Sequence, residues 1–218
     1  MKLLLTSSGI TNKSIENALL ELLGKPFKES RLAFVPTAAN VEKGDKKWLV
    51  DDINNFRKLS FASFDVIDIS AVPKNTWFQS FNNADVLVFG GGNVYHLLKW
   101  VKKSGLEDIL PELLKTKVYV GISAGSMVTA KKVSLSSSSI LYYEKTGNLK
   151  KYNGLGFIDF ELWPHLNSAW FPKVRLPYFK KLASKIPHTF YAIDDNTAIK
   201  VVDGEIAIVS EGEWKKFN

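Results

Sequence analysis

The sequence predicts an α/β fold of three layers: a mostly parallel central sheet, helices on both of its faces, and a β-hairpin near the C-terminus. Three observations carry this expectation. Short apolar runs alternate with helical patterns over roughly the first 130 residues, the links between them are brief, and Asp203-Gly204 separates two late apolar runs as a hairpin turn would.

Residues 2–6, 32–36, 64–69, 85–89 and 117–121 read as strands, each short, rich in β-branched or aromatic residues, and stopped by Gly, Pro, Ser or Thr. Between the first two, residues 13–23 place Ile15, Leu19, Leu22 and Leu23 on one helical face and end at Gly24-Lys25-Pro26. Residues 46–59, 94–103 and 107–114 repeat that pattern. The later third differs: 134–143, 157–162, 189–193, 198–202 and 206–209 look strand-like, and only 173–184 looks helical. No linker, repeat or biased tract interrupts the chain apart from Ser136-Ser137-Ser138-Ser139, so residues 1–218 read as one domain.

At 218 residues with 14 Phe, 7 Tyr and 6 Trp, the chain can bury a sizeable core, which excludes a disordered protein. It has no cysteine, so disulfides, thiolate metal sites and a cysteine nucleophile are excluded too. The net charge of +7 invites a nucleic-acid reading. However, the only arginines are Arg31, Arg57 and Arg175, and the Lys-Lys pairs at 46–47, 102–103, 131–132, 150–151, 180–181 and 215–216 are dispersed rather than gathered. A solvated, lysine-rich surface is the expectation. The apolar run Leu3-Leu4-Leu5 stops at Thr6-Ser7-Ser8, too soon for a signal peptide, and no later run approaches the length that spans a bilayer. A soluble, cytoplasmic protein is expected, with neither nucleic acid nor membrane as partner.

The most informative segment is Val118-Tyr119-Val120-Gly121-Ile122-Ser123-Ala124-Gly125-Ser126-Met127. An apolar strand runs into Gly-x-Ser-x-Gly and then into a helical pattern over 126–131, which is the context of a nucleophile elbow. A tight turn there needs small neighbours, lifts the Ser123 hydroxyl out of the sheet, and aims the Ala124 N–H where an oxyanion would form. A second strand leads into Gly90-Gly91-Gly92-Asn93 and then a helix. Two readings of that loop are open, a phosphate cradle and the second half of an oxyanion hole. Both motifs lie at the C-terminal ends of predicted parallel strands, where open α/β sheets build their sites.

A serine nucleophile needs a base, and the imidazoles are His96, His165 and His188. His96 falls inside a helical run and His188 at the start of a strand. His165 follows a strand in the turn-forming sequence Trp163-Pro164-His165-Leu166-Asn167, making it the candidate. Asp194-Asp195-Asn196 ends another strand, either as a polar turn or as the source of an orienting carboxylate.

Together, Gly121-Ile122-Ser123-Ala124-Gly125, Gly90-Gly91-Gly92-Asn93, Pro164-His165 and Asp195-Asn196-Thr197-Ala198 resemble, in order and approximate spacing, the peptidase E family of serine peptidases, which includes aspartyl dipeptidase and the cyanophycinases. The resemblance covers essentially the whole chain. It implies a fold like that of class I glutamine amidotransferases, with serine where those enzymes carry cysteine. It also implies roles: Ser123 as nucleophile, His165 as general base, Asp195 in the place of an acid that is commonly Glu, Gly91 and Ala124 as oxyanion donors, and Gly92 and Asn93 as substrate-binding residues. No metal or organic cofactor is implied. The order Ser…His…Asp also differs from that of α/β-hydrolases, which here would have to pair Asp159 or Glu161 with His188.

One departure stands out. In aspartyl dipeptidase an acidic residue about fifteen positions beyond the nucleophile helps recognise the substrate's N-terminal Asp, whereas this chain has four serines there and no acid before Glu144. Strict Asp-X specificity does not follow. The expected activity is that of a serine exopeptidase on short peptides. A cyanophycinase-like isopeptidase and a non-catalytic, ligand-binding relative are the alternatives.

Overall fold

The computed structural model describes residues 1–144 and 152–218; the Lys150-Lys151 pair lies outside them. Its main sheet has seven strands in the order β11-β10-β1-β5-β4-β2-β3. In chain order these are β1 (Lys2–Thr6), β2 (Arg31–Val35), β3 (Ser63–Val66), β4 (Val86–Phe89), β5 (Val118–Ile122), β10 (Thr197–Val202) and β11 (Glu205–Ser210). The five earlier strands are parallel; β10 and β11 add an antiparallel hairpin at the edge. At its turn Asp203 and Gly204 both take positive φ, 49° and 93°, as a two-residue turn matching strand twist requires.

The period of two within each strand divides the core. Leu3 and Leu5 point to one side and Leu4 to the other; Leu87 and Phe89 oppose Val86 and Val88 in the same way. One face is covered by α1 (Lys13–Leu23) and α2 (Lys47–Arg57), through residues such as Ile15, Leu19, Leu22 and Phe56. The other is covered by α3 (Lys74–Asn83), α4 (Val94–Lys103), the one-turn α5 (Leu110–Leu113) and α8 (Leu176–Ala183). Strands β4 and β5 are buried on both faces, as parallel strands under two helical layers must be.

The remaining elements are the one-turn α6 (Ala124–Met127), α7 (Leu135–Tyr142), a small sheet β12-β9-β8 made of β8 (Glu161–Trp163), β9 (Phe190–Ile193) and β12 (Trp214–Phe217), and the short pair β6 (Lys132–Val133) with β7 (Tyr152–Asn153).

Three expectations need correction. Residues 134–143 form helix α7 rather than a strand: Leu135, Ser138 and Leu141 are buried at helical spacing, while Ile140 stays half exposed. The helix expected over 126–131 is the single turn α6, and of the strand expected over 157–162 only Glu161–Trp163 pairs, Ile158 making one isolated bridge to Ala130. Helix α3 was unforeseen, although Pro73 at its N-cap and Trp77 and Phe81 four residues apart are its signals; both rings are fully buried and anchor it. No helix among the described residues is long and apolar enough to cross a membrane.

Candidate active site

The C-terminal ends of β1, β4 and β5 converge beside the ends of β8 and β9, and each contributes one part of the site. Directly after β5, Ser123 takes φ 48° and ψ −107°, a conformation that costs a non-glycine residue about 1–3 kcal/mol unless its surroundings enforce it. They do. The Ser123 amide donates to the Thr6 carbonyl at 3.0 Å, and the Ser126 hydroxyl donates to the same carbonyl at 2.8 Å. The Tyr119 hydroxyl holds the Gly125 carbonyl at 2.6 Å. Glycine is required at 125 because a Cβ there would lie 1.9 Å from the Phe89 carbonyl oxygen.

His165 follows β8 in a left-handed conformation, φ 63°. Its Nε2 lies 2.9 Å from Ser123 Oγ and its Nδ1 2.7 Å from Asp195 Oδ1. The ring is packed by Phe171, with centroids 5.0 Å apart, and by the edge of Tyr142 at 6.2 Å. Burial works against the charge of Asp195, but hydrogen bonds from His165, Ser7 and Ser8, with the attraction of a charged imidazole, outweigh it and bring its pKa down to about 2. The carboxylate therefore stays ionised and can hold Nδ1 protonated, leaving Nε2 as the acceptor for the serine proton.

Asp194, the neighbouring alternative, is engaged elsewhere: its carboxylate accepts from the Thr197 hydroxyl, the Asn196 amide and the Glu213 amide, fixing the turn and the β12 approach. The other imidazoles stand apart from Ser123. His188 Nε2 lies 2.8 Å from Glu161 Oε1, so that pair exists but does not meet the serine. His96 is packed against Trp100, and burial, with Lys99 nearby, lowers its pKa.

The glycine loop borders the serine. A Cβ on Gly91 would lie 3.5 Å from Ser123 Cβ and 3.6 Å from the Trp48 ring. Among the described residues no hydrogen bond engages the Gly91 or Ala124 N–H, so neither donor is committed to the fold. Gly92 forms the bend at φ 125°, and Asn93 is turned to structure: its side chain accepts from the His96 amide at 2.9 Å as the N-cap of α4, and its amide donates to Ala38. Glu144 is also drawn in. Its carboxyl accepts from the Val94 amide at 2.9 Å and from the Ser138 hydroxyl, and burial pushes its pKa up to about 7.

Sequence reasoning missed Ser7. Fully buried, its hydroxyl accepts from the His165 amide at 2.8 Å and donates to Asp195 Oδ1 at 2.7 Å, joining base and acid. The available signal was its place at the end of β1, since the parallel register sets Thr6 opposite Ile122. Trp48 was missed as well, because nothing in the sequence marks which face of α2 meets the strand ends. No group of three or more His, Asp or Glu side chains among the described residues is arranged to hold a metal ion.

Comparison with known proteins agrees with this architecture. The pattern of peptidase family S51 matches residues 3–209. An uncharacterized peptidase of Pasteurella multocida is 25% identical over 193 residues, covering 87% of this chain and 85% of that one. An uncharacterized peptidase of Listeria monocytogenes is 26% identical over 176 residues, covering 80% and 83%, and peptidase E of a Nostoc species is 27% identical over 135 residues, covering 58% and 53%. Among solved structures, a candidate peptidase E from Listeria monocytogenes superposes with a TM-score of 0.79 at 23% identity, covering 97% of this chain and 98% of that one. A peptidase from an acI-B1 actinobacterium superposes with a TM-score of 0.68 at 19% identity, covering 99% and 93%. At these identities the structures speak for the fold alone.

Proposed function

The chain belongs to peptidase family S51, and we propose that within it the protein is a serine exopeptidase that hydrolyses short peptides through an acyl-enzyme. The observation that carries this reading is the continuous line of contacts from Ser123 Oγ to His165 Nε2 at 2.9 Å and from His165 Nδ1 to Asp195 at 2.7 Å. A binding protein that had kept only the elbow would have no need of the second and third members.

In this mechanism Ser123 Oγ attacks the scissile carbonyl carbon as His165 Nε2 takes its proton. Asp195 keeps the imidazole in the tautomer that can do so and stabilises the imidazolium that results. The oxyanion is met by the N–H groups of Gly91 and Ala124. His165 then gives its proton to the departing amine, and water, deprotonated by the same nitrogen, releases the acyl group and regenerates the serine. Ser123, His165 and Asp195 already stand within hydrogen-bond distance of one another, so the proton transfers need little reorganisation.

The test is hydrolysis of a dipeptide panel, with and without N-terminal Asp, by wild-type and Ser123→Ala protein. The expected loss of kcat/KM is about 10⁴-fold or more. Peptide hydrolysis that survives Ser123→Ala in clean preparations would overturn the mechanism.

A further inference from the structure

Helix α2 presents three faces. Leu49, Ile53 and Phe56 pack into the core under the sheet, and Lys47 and Asp51 pair with each other in solvent. Trp48 and Asp52, one turn apart, form the third, which turns toward the ends of the strands. The Trp48 ring and Ser123 Cβ flank the same point, where a Cβ on Gly91 would stand. Asp52 Oδ1 lies 3.4 Å from the corresponding point on Gly9, and the δ-carbon of Ile122, the residue before Ser123, lies 3.3 Å from it. Gly9 in turn follows Ser7 and Ser8, which hold Asp195. Asp52 thus lies near the end of β1 and beside Ile122, on the helix that carries Trp48 to Gly91 and Ser123.

Among the described residues no cation and no hydrogen-bond donor meets the Asp52 carboxyl, although the chain carries a net charge of +7. Burial, followed by repulsion from Asp51 and Asp195, raises its pKa to about 8. A carboxyl in this setting, with no partner of its own, keeps its proton near neutral pH, and a cation supplied from outside would favour its ionised form and displace that proton. A peptide lying across Trp48 toward Ser123 carries such groups.

We propose that Asp52 determines substrate preference in this site by accepting a cationic group of the peptide, either its free α-ammonium or a lysine or arginine side chain. The proposal rests on the peptidase reading above. A charge-assisted hydrogen bond in a partly water-excluded wall gives a preference of about 10- to 100-fold for a cationic over a matched neutral peptide.

The experiment compares wild type with Asp52→Asn, which removes the charge and keeps the shape. Three peptides of equal length are used: one neutral in its side chains with a free N-terminus, its N-acetylated form, and an N-acetylated form with lysine in the N-terminal position. Two readouts are taken, kcat/KM and protection of Ser123 from a fluorophosphonate probe, the second of which requires no turnover. In wild type the cationic peptides should be favoured over the acetylated neutral one in both readouts, and Asp52→Asn should abolish that preference. Loss of preference for the free N-terminus identifies the α-ammonium as the ligand; loss for the lysine peptide identifies the side chain. A wild type with no cationic preference, a preference that survives Asp52→Asn, or an equal loss for all three peptides would overturn the proposal. Failure of the peptidase reading is distinct, because it would appear as hydrolysis independent of Ser123.

Discussion

Ser7→Ala is the perturbation that tests most sharply how the site is held. The hydroxyl makes two bonds, one accepted from the part-buried His165 amide at 2.8 Å and one donated to the ionised Asp195 at 2.7 Å. Removing it leaves a part-buried N–H without a partner, which costs up to about 1–3 kcal/mol, and deletes a hydrogen bond to a charged group, worth about 1.5–3 kcal/mol. The two losses share one atom and are not additive, so a destabilisation of about 2–4 kcal/mol is expected. The functional effect is separate. His165 is held at φ 63° in part by the Ser7 bond, and an imidazole free to relax by even a fraction of an ångström loses alignment with Ser123; we expect kcat to fall about 10- to 100-fold with KM nearly unchanged. Asp195 also loses one of the hydrogen bonds that bring its pKa down to about 2, so that pKa moves upward. Thermal melts and kcat/KM between pH 4 and pH 9, on the order of ten points, measure both. A folded Ser7→Ala enzyme with wild-type kcat and stability would refute the idea that this hydroxyl joins base and acid.

The histidines separate cleanly: His165→Ala should lose about 10³-fold or more in kcat, whereas His188→Ala, whose ring meets Glu161 rather than Ser123, should stay within a few-fold, and steady-state kinetics on both variants decides. Gly125→Ala places a methyl 1.9 Å from the Phe89 carbonyl and should destabilise the fold by about 3–5 kcal/mol, visible as a lowered Tm; an unchanged Tm would contradict the described elbow. Glu144, with its pKa raised to about 7 by burial, binds its proton more tightly folded than unfolded, so its contribution to stability is complete below about pH 4 and is lost as pH rises toward 7. Melts from pH 4 to pH 8 should show that decline, on the order of 3 kcal/mol for Glu144, and Glu144→Gln should remove that share of it while the share from Asp52, raised to about 8, persists.

Much of the site was legible in the sequence because its parts are local signals. Gly-x-Ser-x-Gly after an apolar strand specifies a strained turn, and the structure gives Ser123 that turn with φ 48°. His165 and Asp195 were identifiable as polar residues ending strands. Their roles were implied by the resemblance, whereas the parallel pairing of β8 and β9 that brings them together is a tertiary fact that neither the resemblance nor periodicity gave. Ser7, Trp48 and Asp52 escaped because nothing local marks them: Ser7 matters only since β1 lies beside β5, and that strand order is invisible to a pattern of apolar residues. Helix α7 was misread because a run of serines has no strong preference, leaving Leu135, Ser138 and Leu141 to set the period through burial. The two readings left open at residues 194 and 195 were resolved by hydrogen bonding, which assigns the turn to Asp194 and the imidazole to Asp195.

The most direct test of the central claim is intact-mass and peptide-mapping analysis after treatment with a fluorophosphonate. The account predicts a single covalent adduct on Ser123, formed rapidly by wild type and slowed about 10³-fold or more by His165→Ala, because the imidazole 2.9 Å away is what activates the hydroxyl. An adduct on another serine, or labelling of Ser123 at the same rate without His165, would contradict it.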